Sequence, residues 1–501
     1  MRRLRRIALV LSLPVSLGLA GCGLTRPPAT VQAPFPAQWH APLPHGGSLT
    51  ALADWWRQLD DPLLVELIAA AETASPNLAS AAARVAEARS TRVQAGAALL
   101  PSLDGTVSAS RGVSGSSFGS GGAPSSGSST SAGTAIAPVT TLQAGLQSRW
   151  EIDLFGRLRA DRDAAQQRLD SATAKWHDAR VAVAAETANA YFAERACQLQ
   201  LNVSESDAKS RGETARLNDL SARAGFTAPA DAALARASAS DASGRLTQQR
   251  ALCAVQRKAL VALSGLDEPT LAQKLAASPT QRALPVVGAI ASVPAQALSQ
   301  RPDVYAAELG VASASAEVGS AEAERYPKLT LSGSIGRMQI RTSGFRESLD
   351  TWTVGPLSLT VPLLDGGARA ANAEAAKARY TEAVSLYRAN VRQAVREVEE
   401  ALVNLDATTA RSTDADTAVK NYQASFDATQ ARYSSGLASL FELEDSRRTL
   451  FAAQTARVSL QRESTEAWVS LYRSMGGGWS RPAEASSPMT TTPAAKVATS
   501  P

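Results

Sequence analysis

Cysteine is scarce in this chain, with three among 501 residues, and one of them, Cys22, closes the N-terminal leader. Cys197 and Cys253 are all that remain for the rest of the molecule. Histidine is equally scarce, and His40, His45 and His177 lack metal-ligand spacing. No nucleophile elbow, phosphate loop or paired-carboxylate motif is present, which argues against an enzyme. Long apolar runs are also missing: after Cys22 no stretch of about 18 apolar residues recurs, so no transmembrane helix is expected. Any membrane crossing would have to use β-strands, because only helices and closed barrels satisfy their backbones in lipid. An excess of one charge is lacking too. The formal charge is +5, but four of the 51 basic residues (Arg2, Arg3, Arg5, Arg6) and none of the 46 acidic ones lie in residues 1–21, leaving +1. The basic balance therefore does not point to nucleic acid.

What is present begins with Leu19-Ala20-Gly21-Cys22, which follows a basic n-region and the short apolar stretch Ile7–Ala20. This pattern resembles a bacterial lipoprotein signal over residues 1–21, with the Cys22 thiol acylated as the new N-terminus. Gly23 follows, in place of the aspartate that typically retains such proteins at the inner membrane. Lipid anchoring at the outer membrane is the expectation, in an oxidising compartment.

The chain is then written twice. Ser75-Pro76-Asn77-Leu78 matches Arg301-Pro302-Asp303-Val304, and Leu100-Pro101-Ser102-Leu103 matches Tyr326-Pro327-Lys328-Leu329, both at an offset of 226 residues. Phe155-Gly156-Arg157-Leu158-Arg159 aligns with Asp365-Gly366-Gly367-Ala368-Arg369 at 210, while Gly225 and Gly436, and Gly265 and Gly476, stand 211 apart. The drop in offset places extra chain in the first copy, where Ser114–Gly133 is almost entirely Gly, Ser, Ala and Thr and reads as a flexible loop.

Each copy has one order. An alanine-rich helical segment (Leu78–Leu100; Val304–Arg325) leads into two alternating segments. These predict strands at about 101–112 and 140–154, then 327–338 and 352–363, the length of transmembrane β-strands. Trp150, Phe155, Tyr326, Phe345 and Trp352 fall near the strand ends, as interfacial aromatics would. A soluble hairpin would show the same alternation.

Long helices follow. Val384, Tyr387, Val391, Ala394, Val398, Ala401 and Leu405 keep 3-4 spacing in the second copy. Leu169, Ala172, Trp176, Ala179, Val183, Ala190 and Ala193 lie on one heptad frame in the first. Turns are expected at about 224–227 and 435–438, with returning helices over 228–264 and 439–474. Four strands cannot close a membrane barrel, and alanine-rich helices with two apolar stripes need neighbours on both sides. Both needs predict self-association.

These segments resemble the outer membrane factor family, the TolC- and OprM-like ducts, and particularly its NodT-type lipoprotein branch. The carrying motifs are Trp55-Trp56-Arg57-Gln58-Leu59 with Asp61-Pro62, Trp150–Arg157, Arg301–Val304 through Tyr326-Pro327, and Val361–Gly367. Arg432–Gly436 and Leu471–Trp479 complete the set. The Gly/Ser loop Ser114–Gly133 is the main departure. The resemblance implies a mainly α protein with membrane β-structure, a homotrimer whose twelve strands form one barrel and whose long helices form a periplasmic α-barrel. It implies repeats over 51–266 and 301–479, a lipid-anchored Pro-rich segment over 22–50, an equatorial linker over 267–300 and a disordered tail over 480–501.

The function implied is a passive exit duct in the outer membrane, completing a tripartite efflux pump for small molecules with a periplasmic adaptor and an inner-membrane transporter. It would need no cofactor beyond the lipid on Cys22 and would not bind nucleic acid. The same duct serving protein export, a lipid-anchored periplasmic adaptor and a periplasmic enzyme are the rival readings. The two helical turns would be the adaptor-docking tips, with Arg223, Gly225, Phe226, Gly436, Leu437, Leu440 and Leu443 as contacts. Asp427 and Arg432, just before the second turn, are candidates for holding the resting duct shut; solvated surface charges would look the same. Outside the resemblance, Cys197 and Cys253 each lie 28 residues from Gly225 and so stand level in an antiparallel hairpin. They could bond, but the usual 8–10 Å helix spacing favours two buried free thiols.

Overall fold

Pro76 and Pro302 each open a 22-residue helix, taking the position where a missing N–H costs nothing. The computed structural model describes residues 26–33, 56, 61–113, 138–278, 298–342 and 344–481. Cys22, the loop Ser114–Gly133, most of the 267–300 linker and the tail from residue 482 lie outside the described residues. The elements in order are α1 (Pro62–Ala74), α2 (Pro76–Ala97), β1 (Ser102–Gly112), β2 (Val139–Ile152), α3 (Arg157–Arg223) and α4 (Pro229–Ser264). There follow α5 (Glu268–Ala277), α6 (Pro302–Ala323), β3 (Lys328–Thr342), β4 (Phe345–Thr360), α7 (Ala368–Ser434) and α8 (Leu440–Ser474). The order helix, two strands, long helix, returning helix thus occurs twice. Both long helices have 67 residues and begin directly after a glycine at positive φ, Gly156 and Gly367. This sets the offset at 211 from the start of the helices, not 210. Among the described residues no helix is long and apolar enough to cross a membrane.

Contacts divide the described residues into two units. One contains Ala86–Asp170, Leu309–Val384 and the N-terminal residues 26–31. Here the strands form one antiparallel sheet in the order β1-β2-β3-β4. The second hairpin is longer than the sequence suggests. Thr342 pairs with Phe345, so Trp352 lies inside β4 opposite Ile335, not at a strand end. Trp150 keeps its place near the end of β2, its indole donating to Leu99 O at 3.0 Å. Phe155 and Tyr326 stack beneath the sheet at 4.9 Å. The N-terminal residues lie along the helices, Tyr380 Oη donating to Pro28 O at 3.0 Å.

The other unit contains Gln32–Val85, Ser171–Glu308 and the chain from Ser385 onward. The apolar stripe of α7 is as expected: Tyr387, Val391, Ala394, Val398, Ala401 and Leu405 are all buried. On α3 the expected frame is displaced. Val183 is buried, but so are Ala174, Val181, Ala184, Ala185, Ala188 and Tyr191, which lie off that frame. Alanine is so frequent on this helix that its sequence offers little contrast between faces. Trp56 and Tyr472, from the first and last of the motifs, meet edge to face at 4.7 Å.

Cys197 and Cys253 are joined by a disulfide, with Cα atoms 5.5 Å apart. This corrects the expectation of free thiols. The competing stripe through Leu252 and Val255 faces solvent, while Cys253 points inward with Ala235 and Ala242 of the same helix. Small side chains along that seam let the backbones approach more closely than usual helix spacing. Gln249 Nε2 lies 3.2 Å from Cys197 Sγ beside the bond.

Candidate functional site

The two turns are built alike. At the end of α3, Phe226 N–H donates to Ser221 O and Gly225 N–H to Ala222 O, both at 3.0 Å. At the end of α7, Leu437 N–H donates to Arg432 O at 2.8 Å and Gly436 N–H to Tyr433 O at 3.0 Å. Each is the paired 6→1 and 5→2 closure of a Schellman motif, which needs a left-handed residue. Gly225 at φ +79° and Gly436 at φ +76° supply it without steric cost. The next helix then starts at once: Pro229 opens α4, and Ser439 caps α8 by accepting from Glu442 N at 3.2 Å.

The residue after a Schellman glycine ordinarily packs back on the helix it has left. Here that contact is not made. Phe226 is 88% exposed and Leu437 71%, and Phe441, on the first turn of α8, is 73% exposed. The sequence reading missed Phe441; its place one residue after Leu440 was the available signal. Leu440 and Leu443, expected as docking contacts, are instead buried, at 6% and 1% exposure. They pack with Ala215, Ala235, Phe426 and Leu450, because the inward face of α8 is covered by neighbouring helices. Arg223 remains exposed at the tip and pairs with Asp219 at 2.6 Å.

The two gate candidates are not brought together. Asp427 accepts from Gln423 Nε2 at 2.8 Å. Arg432 donates to Leu437 O at 3.1 Å and pairs loosely with Glu442 at 3.6 Å.

Above the tips lies a buried ionic clasp that sequence spacing did not reveal. Arg211 of α3 pairs with Asp207 one turn away at 2.8 Å and with Glu444 of α8. Glu444 also accepts from Ser238 of α4 at 2.6 Å and pairs with Arg447 at 2.7 Å. Arg447 reaches Thr214 of α3 at 2.9 Å, and Arg245 of α4 reaches Asp207 at 3.0 Å. Burial lowers the Arg447 pKa from its usual value, opposed by the nearby Glu444. Nearer the tips, Asn218 Nδ2 donates to Tyr433 Oη at 2.8 Å. The two helical hairpins are therefore tied by charge-assisted bonds, with Phe226, Leu437 and Phe441 left exposed at the tips.

The outer membrane efflux protein family model matches residues 67–266 and 293–477. The chain belongs to that family. It is 31% identical to the pyoverdine export outer membrane protein OpmQ of Pseudomonas putida, over 93% of this chain and 97% of that protein. It is 29% identical to the solvent efflux pump outer membrane protein SrpC of Pseudomonas putida, with the same coverage. Among solved structures, the outer-membrane channel OprN superposes with a TM-score of 0.73 at 27% identity, covering 91% of this chain and 97% of OprN. This outer membrane efflux protein is thus a channel of the outer membrane, with the fold expected from its motifs: long helices joined to a four-stranded sheet.

Proposed function

We propose that this channel is the passive exit duct of a tripartite, RND-type efflux pump for small molecules, fed by a periplasmic adaptor and an inner-membrane transporter. Three copies would close a twelve-stranded barrel in the membrane and an α-barrel below it, each copy arising from an internal duplication over 51–266 and 301–479. Residues 1–21 would be removed and Cys22 acylated, tethering residues 22–50 to the outer membrane. No cofactor is needed, since the transporter supplies the energy.

The observation that carries this reading is the pair of equivalent turns whose apolar residues, Phe226 and Leu437, stand in solvent. Exposed apolar groups at the ends of otherwise charged helices fit an adaptor surface. Asp427 bonds to Gln423 and Arg432 to Leu437 O and Glu442; adaptor binding would rearrange these bonds, and we assign both residues to the resting closure. The cargo is not set by the duct: OpmQ is named for pyoverdine and SrpC for solvents at similar identity to this chain.

Deleting the gene and measuring small-molecule susceptibility beside the profile of secreted proteins tests the reading. Sensitisation with an unchanged secreted profile is expected. Loss of a secreted protein with unchanged susceptibility would replace it with a protein-export duct. Replacing Cys22 with alanine should abolish incorporation of labelled palmitate.

A further inference from the structure

The four strands place unlike side chains on the two faces of the sheet. One face carries Val107, Leu146, Ile335, Trp352, Leu357 and Leu359, all exposed in the single chain. Register keeps them together: Leu146 lies opposite Ile335, and Ile335 opposite Trp352. The other face is polar, with Asp104, Gln147, Ser334 and Thr353 in one transverse row. In a membrane barrel the apolar face is the one that meets lipid. The last paired row on that face before the β3–β4 turn breaks its character. It runs Arg111, Thr140, Arg341, Arg346, one residue from each strand in order. Arg341 stands twelve residues along β3 from the lowest apolar row, Ile152–Leu329–Leu359. At about 3.3 Å per residue and a tilt of about 40°, that is about 30 Å along the membrane normal. The apolar band of such barrels is about 25 Å tall, so the row clears it and stands at headgroup depth.

Three arginines in one row repel one another unless an anion lies among them. Arg341 donates to Gln339 Oε1 through Nε at 3.0 Å and Nη2 at 2.7 Å, and Arg346 Nη2 reaches the same oxygen at 3.5 Å. Two guanidinium groups thus converge on one neutral acceptor. Among the described residues none of the three arginines has an acidic partner. The acids of β4 near them are placed elsewhere: Asp350 pairs with Arg337 at 3.4 Å, and Glu347, opposite Ile340, belongs to the polar face. Where β2 runs into α3, at the other end of the sheet, the arginines are neutralised. Arg157 pairs with Glu151 at 2.9 Å and Arg159 with Asp153 at 3.1 Å. The uncompensated positive charge stands at the turn end alone.

We infer that Arg111, Arg341 and Arg346 form a binding site for the phosphate groups of a lipid headgroup in the outer leaflet, on the lipid-facing side of the sheet. Guanidinium groups take phosphate through two parallel N–H donors and keep their charge at every physiological pH. The row spans three strand spacings of about 4.8 Å, wide enough for a headgroup that bears more than one phosphate. The acyl chains of that lipid lie along the apolar rows beneath, over Leu142, Leu146 and Trp352. Bound phosphate replaces the repulsion within the row by charge-assisted bonds across β1, β3 and β4. Placement in the outer leaflet rests on the duct reading above, in which the long helices extend on the periplasmic side.

The test is binding of fluorescent lipopolysaccharide, a glycolipid with a phosphorylated headgroup, to full-length protein in a neutral detergent. Replacing Arg111, Arg341 and Arg346 together with glutamine should weaken binding about tenfold or more. Arg149→Gln, which removes an exposed arginine from the polar face, should leave binding unchanged. Dephosphorylated lipopolysaccharide should bind wild type as weakly as the intact lipid binds the triple variant, a comparison that needs no substitution. Equal binding of the intact lipid by wild type and triple variant, or of both lipids by wild type, overturns the site. Inorganic phosphate at the same concentration as the lipid should not displace it; displacement makes this a free-anion site and overturns the headgroup assignment. The leaflet is tested with Gly112→Cys, where an added side chain meets nothing within 4 Å. A membrane-impermeant maleimide should label it on intact cells above the wild-type background. Labelling only after the outer membrane is permeabilised overturns the leaflet assignment together with the orientation on which it rests. Labelling from outside with failed lipid binding overturns the site and leaves the duct reading standing.

Discussion

Arg211 on α3 and Glu444 on α8, 233 residues apart in sequence, form a buried ion pair that ties the two helical hairpins together. Their surroundings hold a third and fourth charge, Asp207 and Arg447, in the same enclosed space. Removing one partner leaves cations buried without compensation. Glu444→Gln is expected to cost about 3–5 kcal/mol, whereas replacing Arg211 and Glu444 together with apolar residues should recover most of it. Thermal unfolding followed by helical circular dichroism separates the two outcomes.

The tip residues should divide by burial. Phe226→Ser, Leu437→Ser and Phe441→Ser are expected to leave stability within about 0.5 kcal/mol of wild type and to abolish efflux. Leu443→Ala should instead cost about 2–5 kcal/mol by opening a cavity. Unfolding midpoints and drug susceptibility, measured on the same variants, check this. Full resistance in the triple serine variant would remove the tips from adaptor docking.

The bond between Cys197 and Cys253 encloses 56 residues of sequence separation. Thiol counting on the denatured, unreduced chain should find neither cysteine reactive. Replacing both with serine is expected to cost roughly 2–5 kcal/mol. Two reactive thiols per mature chain would contradict the bond.

Arg301 holds Asp303 at 2.7 Å, Glu397 at 2.7 Å and Ser474 O at 3.0 Å. Burial pushes the Asp303 carboxyl up, but the Arg301 hydrogen bond and charge outweigh it and hold the pKa below its usual value. A depressed carboxylate pKa stabilises the fold above the unfolded-state value and loses that contribution as pH falls through the folded one. Asp303→Asn should therefore cost about 1.5–3 kcal/mol at neutral pH. The difference from wild type should shrink below about pH 4, where the unfolded carboxyl also takes up its proton. Denaturant melts across pH 3–7 measure it.

Much of the fold was legible because its signals are local. Proline at helix starts, glycine at the two turns and period-two strands each act within a few residues, and the repeat fixed their order twice. The α7 stripe was readable because Tyr387, Val391 and Leu405 stand out against charged neighbours, whereas alanine on α3 marks no face. Strand ends and Trp352 were misplaced because the β3–β4 turn is set by pairing between Thr342 and Phe345, which spacing alone does not show.

The sequence by itself determined the element order, the presence of two halves and the position of both tips, since backbone preference and side-chain period act along the chain. Only the tertiary structure decided which tip residues are free. Leu440 and Phe441 are adjacent on α8, and one is buried while the other is exposed because the neighbouring helices cover a single side of that helix. The Arg211–Glu444 clasp and the Cys197–Cys253 bond belong to the same class: each depends on two helices arriving at one height and one spacing, and helix approach is set by packing between distant segments.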